Sequence, residues 1–150
     1  MDANRPRSKK PSAANSGSKQ PEPLVFFIDR SLGQKKIAAM LRQTGARVEI
    51  HDDHFPQNET DEKWLSEVGK RNWIVLTKDD RLRYRPITRA AIRSERVRVF
   101  TLPRGDLTGD EMAEIFLTAL PAMTRLANRR PGPFVATVMR GGKLGRWRDI

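Results

Sequence analysis

Six aspartates stand at places where short apolar runs end or helices begin: Asp29, the pair Asp52-Asp53, Asp61, and the pair Asp79-Asp80. Carboxylates that meet at one edge of a fold repel, by ~4 kcal/mol for two groups ~4 Å apart at an effective dielectric of ~20. Three such contacts approach the whole stability of a domain, ~5–15 kcal/mol, so a cluster of this kind persists only with protons or cations inside it. Oxygen-only donors suit Mg²⁺ or Mn²⁺ rather than zinc, which prefers His or Cys. Beside these acids lie seven arginines between Arg81 and Arg98 (81, 83, 85, 89, 93, 96, 98), opposed by Glu95 alone. Acids holding a divalent ion next to guanidinium groups fit phosphodiester hydrolysis, in which the metal acidifies an attacking water and neutralises the scissile phosphate.

The elements needed to position these side chains are legible in the hydropathy pattern. Leu24-Val-Phe-Phe-Ile28 is continuous, β-branched and aromatic, as a strand covered on both faces should be. Ser31 with Gln34 reads as a capping box ahead of a helix carrying Leu32, Ile37, Met40 and Leu41, stopped by Gly45. Further strands are expected at 47–50, 73–76, 97–100 and 133–139. Helices are expected at 61–70, through Ser94 from at least Ile87 with Pro86 in the first turn, and after the Thr108/Glu111 capping box. This alternation predicts an α/β fold with a mainly parallel sheet and helices on both faces, and an antiparallel hairpin after Gly141-Gly142. In a parallel sheet every strand delivers its C-terminal end to one edge. Asp29, Asp52-Asp53 and Asp79-Asp80 follow strands, and Asp61 opens the helix leading into the third, so all converge on that rim.

Composition bounds the rest. The 150 residues carry no cysteine, which excludes a disulfide scaffold, a thiolate zinc site and cysteine catalysis. The longest apolar run is far shorter than the ~20 residues a membrane helix needs, and the polar start has no apolar signal segment. A cytoplasmic protein is therefore expected. Net charge is +11, concentrated in residues 1–23 and 125–150, which points to a polyanionic partner, nucleic acid first. Residues 1–23, rich in Ser, Pro, Lys, Asn and Ala, are expected to be a disordered basic tail on a single domain spanning 24–150.

Each residue also has a plainer reading. Asp61 suits a helix N-terminus whatever else it does. Asp52 and Asp53 can be ordinary loop acids, Asp79 or Asp80 a helix cap, His51 and His54 surface or hydrogen-bonding groups, and the arginines a solvated face. Asp29, directly behind a buried strand, is hardest to explain that way. Trp64 and Trp73 read as core. Asn58-Glu59-Thr60 lacks the secretory context for glycosylation, Gly141-Gly142-Lys143 lacks phosphate-loop spacing, and no GxGxxG follows a strand.

The segments Phe26-Phe-Ile-Asp29 with Ser31-Leu-Gly33, His51-Asp-Asp-His-Phe55, Asp61-Glu-Lys-Trp-Leu65 and Trp73-Ile-Val-Leu-Thr-Lys-Asp79 resemble the PIN-like nuclease superfamily, in particular its compact VapC-type toxins. The resemblance runs from about Val25 to Phe100. It implies a three-layer α/β/α fold, Mg²⁺/Mn²⁺-dependent endoribonuclease activity, and control by an antitoxin partner. By position it places the metal-holding, catalytic acids at Asp29, Asp61 and Asp79, with Asp53 or Asp80 as a further acid. A homodimer is compatible with it, although no residue demonstrates one. RNA would be held by Lys35, Lys36, Arg81, Arg83 and Arg85. The competing readings are a non-catalytic RNA-binding module on the same fold, and a phosphatase using Asp29 as nucleophile. The latter normally has a second aspartate two residues on, where this chain has Ser31.

Overall fold

The computed structural model describes residues 23–33 and 35–150, without the side chains of residues 146–149. Residues 1–22 of the expected tail, and Gln34, lie outside the described residues. Ten elements follow in the order β1 (Val25–Ile28), α1 (Lys36–Arg42), β2 (Arg47–Ile50), α2 (Asp61–Lys70), β3 (Ile74–Thr77), α3 (Pro86–Ser94), β4 (Arg98–Thr101), α4 (Gly109–Arg129), β5 (Phe134–Val138) and β6 (Leu144–Asp149). The sheet order is β2-β1-β3-β4-β5-β6, parallel through β5, with β6 returning antiparallel at the edge. No helix among the described residues is long and apolar enough to cross a membrane.

Alternation along each strand divides the core in two. Phe26 and Ile28 of β1 face α1 and α4, joining Ile37, Leu41, Phe116 and Met123. Phe27, between them, faces α2 and α3, joining Trp64, Leu65, Val68 and Ile92. The result is three layers, α/β/α, as expected. Helix α4 starts on the Thr108/Glu111 capping box, with both reciprocal hydrogen bonds present at 3.1 and 2.9 Å. The Thr108 N–H, and secondarily Arg140, hold the Glu111 carboxyl below its ordinary range.

Several local expectations are corrected. Ser31 caps no helix: it lies in a 3₁₀ turn, Arg30–Leu32, and α1 begins only at Lys36. Strands β3 and β4 each start one residue later than their apolar runs. The residues ahead of them close the preceding helices instead, the Trp73 N–H on the Val68 carbonyl (3.0 Å) and the Val97 N–H on that of Ile92 (2.9 Å). Both closures pass through a left-handed residue, Asn72 and Arg96. Trp73 is consequently half-buried rather than core, with the Arg71 guanidinium 5.0 Å from its ring.

Candidate active site

Asp29 directly follows β1, and its N–H still bonds the Leu76 carbonyl (3.0 Å), so its side chain leaves the sheet at the C-terminal edge. It is 5% exposed. The 3₁₀ turn that follows folds Ser31 back, and its hydroxyl donates to Asp29 Oδ2 at 2.8 Å. The buried Thr77 hydroxyl, from the last residue of β3, donates to the same oxygen at 2.7 Å. Both hydroxyl oxygens then accept from backbone, Ser31 from Lys78 N–H (3.2 Å) and Thr77 from Asp79 N–H (3.0 Å). Asp29 is thereby tied to the turn that carries Asp79.

Asp61, in the first turn of α2, uses Oδ1 to accept from Trp64 Nε1 (3.0 Å) and Arg30 Nη2 (3.2 Å). Arg30 also donates to the carbonyls of Gln57 (2.9 Å) and Glu59 (2.8 Å), which fixes the approach to that helix. Asp79 accepts the Arg81 N–H at Oδ1 (3.0 Å) and Arg85 Nη1 at Oδ2 (2.7 Å). The same Arg85 nitrogen is 3.7 Å from Asp61 Oδ2. Its hydrogen bond to Asp79, with the charges of Asp79 and Asp61 adding to it, raises the Arg85 pKa above the ordinary arginine value. Thr77 thus links Asp29 to the turn carrying Asp79, and Arg85 links Asp79 to Asp61.

The other expected residues are placed differently. Asp80 turns outward to Arg104 (2.6 Å) and raises that arginine's pKa. Asp53 is exposed in the turn His51–Asp53 and shares none of these bonds. Asp52 is held by Gln57 Nε2 at 2.7 Å. His51 is a hydrogen-bonding group rather than a surface one: fully buried among Phe27, Phe55 and Trp64, its Nδ1 lies 3.4 Å from Asp52 Oδ1, and among the described residues its Nε2 is without a hydrogen bond. Lys35 and Lys36 are exposed at the start of α1, and Lys36 pairs with Asp110 at 2.6 Å. Arg81, Arg83 and Arg85 stay with the rim. Arg98 does not: it begins β4 at the opposite edge, buried, donating to the Ala127 carbonyl (2.6 Å) and to Asn72. That burial lowers its pKa.

The sequence that builds this site has known relatives. A family model described as PIN like domain matches residues 24–104, which include all three acids and Arg85. The chain belongs to the PIN-like domain family. It is also 33% identical, over 117 residues, to the Mycobacterium tuberculosis (strain ATCC 25618 / H37Rv) protein named "Putative ribonuclease VapC45". That match covers 75% of this chain and 84% of the relative. No solved structure matches the chain.

The donor chemistry of this PIN-like site fits a hard divalent cation, since every candidate ligand is a carboxylate oxygen. Asp29 supports the fit, because among the described residues its bonds come from hydroxyls and none from a cation. Yet no group of three acidic or histidine side chains stands close enough to form a ready-made metal cluster among the described residues. At Asp61 and Asp79 the required positive charge is supplied by Arg30 and Arg85. Of the protons or cations expected in such a cluster, guanidinium groups are the ones seen at Asp61 and Asp79.

Thr77 is the joint of the site, and spacing on its own did not single it out. Thr77→Val keeps the shape but removes a donor to Asp29 and the acceptor of the Asp79 N–H. Urea unfolding should show a loss of ~1–3 kcal/mol, the usual cost of stranding buried polar groups. An unchanged midpoint would mean that the hydroxyl is dispensable.

Proposed function

We propose that this PIN-like protein is a Mg²⁺/Mn²⁺-dependent endoribonuclease and the toxin of a toxin–antitoxin pair, acting in the cytoplasm. The observation that supports the reading is the chain of bonds from Asp29 through Thr77 to the Asp79 turn, and from Asp79 through Arg85 to Asp61. The likeness to a relative named as a VapC ribonuclease supports RNA as the substrate and an antitoxin as the partner.

In this mechanism Asp29, Asp61 and Asp79 hold the divalent ion. When bound, the ion acidifies an attacking water and offsets charge on the scissile phosphate. Ser31 and Thr77 orient Asp29 by occupying one of its oxygens. Trp64 and Arg30 keep Asp61 turned toward the rim. Arg81, Arg83 and Arg85, with Lys35 and Lys36 across the β1 turn, take the RNA backbone, so affinity should fall as salt rises. Tyr84, 61% exposed beneath the Arg83 guanidinium (4.7 Å), offers an aromatic surface to an unpaired base.

Single-stranded RNA incubated with the protein tests this directly. Cleavage is expected with Mg²⁺ or Mn²⁺ and none with EDTA, while turnover that survives EDTA would overturn the reading. A second reading, a non-catalytic RNA-binding module, is favoured by the arginines seated on Asp61 and Asp79. It requires RNA binding without cleavage under any metal.

A further inference from the structure

Arg85 lies within reach of two of the three acids at once. A single nitrogen, Nη1, is 2.7 Å from Asp79 Oδ2 and 3.7 Å from Asp61 Oδ2. These are the oxygens left to Arg85, the Oδ1 atoms being engaged by Trp64, Arg30 and the Arg81 N–H. A divalent ion held by Asp61 and Asp79 would compete with Arg85 for these carboxylates. Two cations cannot share them, because like charges at this range repel as strongly as the ion pairs attract.

The surroundings allow Arg85 to leave. Its side chain is 46% exposed, and among the described residues its side-chain partners are the two acids. Its backbone caps α3 independently of the guanidinium, with Arg89 N–H on the Arg85 carbonyl at 2.8 Å. Arg30 differs: it is bonded to two backbone carbonyls as well as to Asp61, and is built into the turn. Arg85 is the exchangeable member of the pair. Once displaced, it remains at the rim with a planar set of donors suited to a phosphate group.

We propose that Arg85 is an exchangeable counter-ion of the site: it neutralises Asp61 and Asp79 until a divalent cation displaces it, and the released guanidinium then engages the RNA phosphate. The residue that guards the acids becomes the one that receives the substrate. The metal-free site is thereby kept from collapsing through repulsion, and RNA is held best once the ion is in place. This inference rests on the metal-dependent reading above.

The test is Mn²⁺ binding by the full chain at low salt, read from the electron paramagnetic resonance signal of free Mn²⁺. Wild type, Arg85→Gln and the neighbouring control Arg81→Gln are compared, with circular dichroism to verify folding. Arg85→Gln should tighten Mn²⁺ binding about five- to tenfold, the scale of removing one partly exposed opposing charge. Arg81→Gln removes the same formal charge from an exposed position and should change the affinity less than twofold. Equal or weaker Mn²⁺ binding by Arg85→Gln, with wild type still binding, would overturn the exchange while leaving the metal site standing. Equal tightening by both variants would also overturn it, as a general charge effect. Absence of Mn²⁺ binding by all three proteins at millimolar metal would remove the metal reading itself, and this inference with it.

Discussion

Asp29→Asn should reduce RNA cleavage by at least ~100-fold, since losing a candidate metal ligand should cost no less than the ~10–100-fold of losing a group behind one. The substitution is informative because it changes so little else. Asn keeps a side-chain oxygen in the place of Oδ2, where the hydroxyls of Ser31 and Thr77 can still donate. Nothing in the packing has to move, so unfolding by urea should stay within ~1 kcal/mol of wild type, as for a substitution that strands no buried partner. Activity and stability are thus separated in a single variant. Asp79→Asn lacks that clarity, because it also dissolves the ion pair with Arg85. Cleavage at the wild-type rate by a folded Asp29→Asn protein would take this carboxyl out of the chemistry.

The second large effect concerns stability. Phe27 is fully buried, stacked on Trp64 with ring centroids 5.5 Å apart and on Trp73 at 6.0 Å, and edge-on to Phe55. Phe27→Ala should cost ~3–5 kcal/mol by cavity formation, a large part of the ~5–15 kcal/mol a domain has. Urea unfolding with matched slopes would measure it. The damage should also reach the site, because Trp64 both packs on Phe27 and donates its indole N–H to Asp61. A loss under ~1 kcal/mol would show that the surrounding rings close the gap, as a site that collapses well can.

The framework of the fold was readable because local and tertiary preferences agree. Helix α2 opens at Asp61 and β2 spans Arg47–Ile50, both as expected, and the Thr108/Glu111 box starts α4. Errors arose where a side chain is engaged elsewhere. Ser31 has the spacing of a helix cap, but its hydroxyl is committed to Asp29 and to Lys78 N–H. His51 sits in a loop by sequence, yet three aromatic rings close over it. The arginines from 81 to 98 form one run in the sequence and two places in space, because α3 carries the chain from the rim to the far edge before Arg98 enters β4. Convergence of the acids followed from parallel topology alone. Their arginine partners did not, since Arg30 reaches back across 31 positions to Asp61 and no local pattern records that contact.

The family match ends at residue 104, whereas α4 begins at Gly109 and β5 and β6 come later still. Those later elements supply Met112, Ile115, Phe116, Met123, Leu126, Phe134 and Val138 to the face that covers Phe26 and Ile28. An expression clone cut at the recognised boundary would keep every acid of the site and lose half the upholstery behind it. Such a fragment would present a bare greasy sheet to solvent and clump, so engineering of this protein has to treat its least recognisable third as indispensable.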